Sequence, residues 1–270
     1  MALRHITPIV ILIIQLYGTS LASNLPQLPG NRLSEGADRD LPNATPIHCG
    51  SSSHVKATVK STKTPSQVMN NFGKQAFTAG PVGHPQSPRP GTEARFKFAE
   101  VKGGKSIYAL EVDGRGERAY WLPQGGSIDI PHRPNANQPH YVFTPDFSGC
   151  SWTVTPLNNG MLRLRHVEGG REAAQFNNLS AAAKGGATTY AMQYKDYGYV
   201  VETRRLVGNV PAFAYMHFTG GHWNLHVQRK SCSPQPGGFT FKDHLLTGMT
   251  LVESKSTYPT ISGTKSYTIP

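Results

Sequence analysis

From residue 95 onward the chain alternates apolar and polar positions in short runs broken by turn residues. Ile107-Tyr108-Ala109-Leu110-Glu111-Val112 is followed by Asp113-Gly114-Arg115-Gly116, then by Arg118-Ala119-Tyr120-Trp121-Leu122. That pattern predicts a hairpin, because Asp-Gly supplies the positive φ that tight turns need at little cost. Further strands are predicted at His140 to Thr144, Ser151 to Thr155, Met161 to His166, Tyr199 to Leu206, Ala212 to Thr219, Trp223 to Gln228 and Met249 to Glu253. Asn158-Asn159-Gly160, Gly169-Gly170, Gly208-Asn209 and Gly220-Gly221 punctuate them. One helix is predicted at Arg171 to Ala183, rich in Ala, Glu and Gln and ending before Gly185-Gly186. Strands dominate around one helix. The expected class is α+β, a β-sandwich-like domain of mainly antiparallel strands with a flanking helix.

The first 90 residues read differently. Arg4 and His5 precede an apolar run from Ile6 to Tyr17, and Ser20-Leu21-Ala22 offers small residues for cleavage. The run is short for a membrane span and is broken by Pro8 and Gln15, so residues 1–22 are expected to be a signal peptide. Residues 23–90 are rich in Pro, Gly, Ser, Asn and Thr and are expected to form an irregular arm or pro-region, with a short helix near Pro65 to Phe77. Residues 91–270 then form the catalytic domain. A secreted monomer, clear of the membrane once the signal is removed, is expected.

Composition narrows this picture only a little. The chain has 270 residues, 37% hydrophobic and 16% charged, with 28 Gly and 21 Pro, which suits a loop-rich, strand-rich domain. Net charge is +11, but the basic residues are scattered and no nucleic-acid-binding motif accompanies them. No nucleic-acid partner is expected, and attraction to acidic partners is unspecific. Gly114 and Gly116 lack the following Gly and helix of a phosphate loop. His217, His222 and His226 lack a fourth ligand at metal-site spacing, so neither a metal nor an organic cofactor is expected. Trp121, Trp152 and Trp223 could line a sugar platform, but Trp in strands more often belongs to the core. Asn43-Ala44-Thr45 and Asn178-Leu179-Ser180 are glycosylation sequons in a eukaryotic setting only.

Three cysteines leave one over in an oxidising compartment. Cys49 and Cys232 lie in Gly/Ser- and Ser/Pro-rich stretches and are the candidates for a disulfide, which leaves Cys150 as a thiol; three unbridged thiols are the alternative. Cys150 stands at the junction of a Ser148-Gly149 turn and a strand. The turn at Asn159-Gly160 brings the next strand back antiparallel, so His166, sixteen residues on, ends near where Cys150 begins. A thiol needs a base to become a strong nucleophile, and an imidazole supplies one. The amide of Cys150, with another from the Ser148-Gly149 turn, is placed to donate to an oxyanion. Thr144, at the same end of the sheet, is the candidate to orient the imidazole.

At these residues the sequence resembles the Cys–His glutamine deamidases, the group of the cytotoxic necrotizing factor catalytic domain, Burkholderia lethal factor and the chemoreceptor glutamine deamidases. Thr144, six positions before the nucleophile, fits their Thr; Ser148-Gly149-Cys150 fits their turn; His166 fits their His. The resemblance covers about 30 residues in motif and implies a β-sandwich flanked by helices that hydrolyses glutamine side-chain amides of a protein substrate, or transamidates them. The receptor-binding and translocation regions of the large toxins have no counterpart here. A secreted effector or toxin is the expectation. The competing one is a secreted β-rich binding protein for a glycan or host protein, without catalysis.

Overall fold

The computed structural model describes residues 23–34, 59–79, 93–101, 107–147, 149–186, 188–197, 201–202, 205–206, 212–233, 238–242, 250–254 and 258–270. The strands, in chain order, are β1 (Ser23–Asn24), β2 (Val59–Lys63), β3 (Ala76–Ala79), β4 (Glu93–Val101), β5 (Ile107–Val112), β6 (Glu117–Trp121), β7 (Ser127–Pro131), β8 (Tyr141–Phe143) and β9 (Ser151–Pro156). They continue as β10 (Met161–Val167), β11 (Tyr190–Met192), β12 (Val201–Glu202), β13 (Arg205–Leu206), β14 (Ala212–Thr219), β15 (His222–Ser233), β16 (Gly238–Lys242), β17 (Thr250–Ser254) and β18 (Tyr258–Thr268). Helical segments are short: α1 (Pro65–Val68), α2 (Ala181–Lys184), α3 (Tyr194–Tyr197) and single tighter or wider turns. The α+β, strand-dominated class expected from the sequence is therefore what the chain adopts.

A large sheet runs in the order β1-β18-β15-β14-β8-β6-β4-β5-β3, with β2 also paired to β4. A four-stranded sheet, β11-β9-β10-β7, packs on one of its faces. Pairing is antiparallel except between β1 and β18, β3 and β5, and β6 and β8. Strand alternation explains why β14 serves two cores. Ala212, Ala214 and Met216 meet Trp152, Val154, Leu162 and Leu164 of the small sheet. Phe213 and Tyr215 point the other way, into an aromatic core with Phe77, Phe98, Tyr108 and Phe143. Each fully buried large side chain contributes roughly 1.5–3 kcal/mol of transfer free energy.

Three expectations are corrected. First, strands 107–112 and 117–121 do not pair with each other. Both pair with β4, Phe96 lying opposite both Val112 and Glu117, and the amide of Asp113 donates to Arg95 O at 2.9 Å. The Asp-Gly segment is thus a corner between two strands that share a partner, not a hairpin turn. Second, the helix expected over 171–183 is broken. A wide turn spans Ala173–Asn177, and α2 begins afresh behind Ser180, whose hydroxyl accepts from Ala183 N at 3.1 Å. The side chain of Asn177 is turned to the N-terminal segment, where it bonds both Leu33 N and Leu33 O. Asn and Ser compete with the helix for backbone groups in this way.

Third, the described parts of the expected arm belong to the domain. Residues 23–34 strap the small sheet: Leu28 N donates to Thr189 O, Ala191 N donates to Pro26 O, and Leu28 and Leu33 are buried with Val167 and Phe176. Within 59–79, β2 and β3 join the large sheet, and Val68, Met69, Phe72 and Phe77 enter the aromatic core. The helix expected near residues 65–77 is α1 followed by a 3-10 turn at Met69–Asn71, and the chain is already extended at Ala76. Residues 1–22 and Cys49 lie outside the described residues. Cys232, expected in a loop, sits in β15 opposite Pro259; its side chain, and with it the Cys49–Cys232 bridge, lies outside the described residues.

Candidate functional site

The β9–β10 hairpin forms as its turn signal predicts. Gly160 takes φ 77°, Leu157 N donates to Met161 O, and the register sets His166 opposite Trp152 and Val167 opposite Ser151. Opposed residues of an antiparallel pair project to one face, so His166 and Trp152 stand side by side toward the core. Cys150, two residues before Trp152, packs in the core cluster that also holds Trp152, Leu162 and Leu164. Cys150 is 3% exposed and His166 and Thr144 are 0% exposed.

Thr144 follows β8. Its hydroxyl donates to Leu122 O at 2.7 Å and lies 2.6 Å from His166 Nδ1. With the hydroxyl proton committed to the carbonyl, the imidazole must donate from Nδ1–H to Thr144 Oγ1. Neutral His166 therefore carries its lone pair on Nε2. The backbone of His166 is clamped by the loop after β6: Gly125 N donates to His166 O at 2.7 Å and His166 N to Gly126 O at 3.2 Å. Phe147 lies flat on the imidazole, ring centres 4.1 Å apart and planes within 3°. Phe147 is itself pinned by reciprocal backbone bonds with Ala212.

Burial holds His166 down to a pKa of about 3, so the ring is neutral at any ordinary pH. Nε2 is buried and makes no hydrogen bond, to Cys150 or to any other described residue. The indole Nε1–H of Trp152 is likewise buried without a partner. Tyr197 OH donates to Cys150 O at 2.7 Å. Burial, with the nearby Cys150 adding to it, raises the Tyr197 hydroxyl well above its ordinary range, so it remains a donor.

Gly149 takes φ 98°, a conformation other residues rarely adopt. Gly169 backs the same turn: a Cβ there would lie 2.7 Å from Gly149 O. Ser148 lies outside the described residues.

Thr144, Gly149, Cys150 and His166 are thus gathered at one end of the core between the sheets. Phe147, Tyr197, Trp152 and the loop carbonyl of Leu122 complete the site, and none was singled out for it from the sequence. Trp152 was within reach of the hairpin register; Phe147 and Tyr197 depend on long-range packing. The other weighed residues lie elsewhere. His217 stacks on Tyr141 at 4.3 Å, and His226 stacks on Tyr215 and bonds Ser266, both on the aromatic-core side. Among the described residues no group of three His, Cys, Asp or Glu is arranged to hold a metal ion. Trp121, Trp152 and Trp223 are all buried and form no exposed platform.

No protein-family model matches the chain, and no curated protein matches it.

Proposed function

We propose that this protein is a secreted, cysteine-dependent amidohydrolase that acts on glutamine side-chain amides of a protein substrate. One observation carries the reading. Thr144 fixes the Nδ1–H tautomer of His166, which leaves an unpaired Nε2 lone pair on a ring that the strand register turns toward the core in which Cys150 packs. Most buried histidine nitrogens are hydrogen-bonded, and an open acceptor beside a buried thiol is what a general base needs.

The reaction follows from those groups. Cys150 Sγ attacks the carboxamide carbon while Nε2 of His166 takes the thiol proton. The tetrahedral oxyanion collapses to a thioester, and His166 returns the proton to the departing ammonia. Water, deprotonated by the same nitrogen, hydrolyses the thioester to give glutamate and the free thiol. An amine in place of water gives transamidation. The Thr144 hydroxyl stabilises the imidazolium formed in each half, as an orienting acceptor on Nδ1–H does elsewhere. The thiol–imidazole hydrogen bond is absent from the resting arrangement, and such contacts commonly tighten only with substrate bound.

Burial favours a side-chain amide over a main-chain one. A thiol only 3% exposed is reached by a slender glutamine side chain, not by a peptide bond flanked by bulky chain on both sides. The test is to incubate wild-type and Cys150→Ala protein with candidate target extract and score glutamine-to-glutamate conversion by mass spectrometry. Conversion is expected with the wild type alone; equal conversion by both rejects the reading. The non-catalytic alternative, a binding protein, gives no reason for Thr144 to fix a buried imidazole whose second nitrogen stays unpaired.

A further inference from the structure

Two buried polar atoms at the site are left without a partner, and they are complementary. Trp152 Nε1–H is a donor, His166 Nε2 is an acceptor, and both residues are 0% exposed. They are opposed across the β9–β10 pair and so project side by side. Both rings contact Phe147, His166 at 4.1 Å and Trp152 at 5.9 Å between centres. Buried donors and acceptors are nearly always satisfied by protein or by something bound. A neighbouring donor and acceptor, each unsatisfied, call for a ligand group that accepts at one end and donates at the other.

We propose that Trp152 is a substrate-binding residue, its indole N–H holding the carboxamide oxygen, with the carboxamide N–H resting on His166 Nε2 on arrival and giving up that lone pair to the Cys150 proton as the sulfur attacks. A primary carboxamide is the planar group that offers a carbonyl acceptor and an N–H donor side by side. The assignment rests on the amidohydrolase reading for the identity of the ligand. It also gives the chemistry a direction. The carbonyl oxygen, where negative charge develops, sits on the indole N–H. The nitrogen that must leave as ammonia sits on the imidazole that protonates it. The glutamate product has a carboxylate oxygen where the substrate had N–H, so it sets two lone pairs against each other at Nε2 and dissociates. The pair thus selects carboxamide over carboxylate and drives product release.

The experiment follows the indole N–H signals of 15N-labelled full-chain Cys150→Ala protein by NMR. The chain has three tryptophans. Trp121→Phe and Trp223→Phe variants assign the signals without touching Trp152. Trp223 is the internal control, because its Nε1–H already donates to Pro131 O at 2.9 Å. Acetamide is expected to shift the Trp152 signal saturably and to leave the Trp223 signal in place, while acetate has no such effect. A Trp152 signal indifferent to acetamide, as a fixed water in the gap would leave it, overturns the inference, as does an equal response to acetate.

Trp152→Phe keeps the ring and removes the donor. With the glutamine substrate it is expected to lower kcat about 100-fold with a small change in KM; unchanged turnover also overturns the inference. The underlying reading fails separately. An acetamide shift without Cys150-dependent conversion keeps the carboxamide site and removes the hydrolysis, whereas conversion without the shift does the reverse.

Discussion

Two buried polar clusters hang from one short stretch of chain, residues 144–147, and they are built on opposite principles. Asp146 closes its cluster completely. Its Oδ1 accepts from Ala79 N at 3.1 Å, and its Oδ2 accepts from Thr78 Oγ1 at 2.5 Å and from Lys230 Nζ at 2.7 Å. Lys230, 4% exposed, also sits over the Phe213 ring at 6.0 Å. Burial lowers the Lys230 pKa while Asp146 pulls it back up. Thr144, two residues earlier, anchors a cluster that ends open, at His166 Nε2 and Trp152 Nε1. The closed cluster ties β3 and β15 to the stretch that carries Thr144 and Phe147, and so holds it still. The open cluster keeps hydrogen-bonding capacity in reserve for what enters. One face of the loop is fully satisfied, and the other carries the open atoms on which the proposed function rests.

The largest effect is expected at Cys150, the proposed nucleophile. Cys150→Ala should lower glutamine conversion by about 10^4-fold or more while leaving the thermal melt close to wild type, because a small side chain replaces another in a packed site. A variant that melts far below wild type would make Cys150 a packing residue instead. The next largest effect belongs to the closed cluster. Lys230→Met leaves the partly buried Asp146 carboxylate without its cation and should cost about 3 kcal/mol in denaturant unfolding; a loss under about 1 kcal/mol would place the pair in effectively solvent-like surroundings.

Thr144→Val sharpens the contrast between orienting and reacting. It keeps the shape but removes the acceptor for His166 Nδ1–H and frees the ring to change tautomer. We expect kcat to fall about 100-fold with KM nearly constant, read from initial rates. An effect on KM alone would move Thr144 from orienting the base to binding substrate.

The smallest effect is a pH dependence of stability. His166 titrates at about 3 when folded, against an ordinary value of 6.5. Between those limits the unfolded chain binds a proton that the folded one refuses, so acidification favours unfolding. Stability should be complete above pH 6.5 and fall progressively toward pH 3, with this one group contributing at most about 1.4 kcal/mol per pH unit. His226, pushed down to about 4 mainly by burial, adds slope of the same sign in wild type and variant alike. His166→Phe should therefore flatten the stability curve between pH 6.5 and 4.5 by about 2 kcal/mol. Parallel curves would show that His166 takes up protons when folded.

What could be read from the sequence follows how local the causes are. The β9–β10 hairpin was legible because Asn158-Asn159-Gly160 fixes the turn and Leu162, Leu164 and His166 share the inward phase. That register alone turns His166 toward the core in which Cys150 packs. Strand β14 was legible to the residue, since Pro211 stands before its apolar run and Gly220-Gly221 stands after it. The partners of β5 and β6 were not, because β4 pairs with both and no turn rule reports a shared third strand. Nor was the packing of residues 23–34 and 59–79. Their Leu and Phe are sparse among Pro, Gly and Ser, and each is buried by strands far along the chain. Of the candidate site, Thr144 and His166 were named from spacing and resemblance, and the fold brings their side chains into hydrogen-bond contact. The unpaired indole of Trp152 and the flat contact of Phe147 exist only once two sheets are packed together.

The parallel pairing of β1 with β18, Ser23 opposite Tyr267, has a kinetic consequence. It is a contact of very large sequence separation, and chain-closure entropy must be overcome before it gives anything back. β18 lies between β1 and β15, so this edge of the large sheet stays open until residues 258–268 are in place. Losing residues 258–268 should leave β1 without its partner and β15 unpaired on one side.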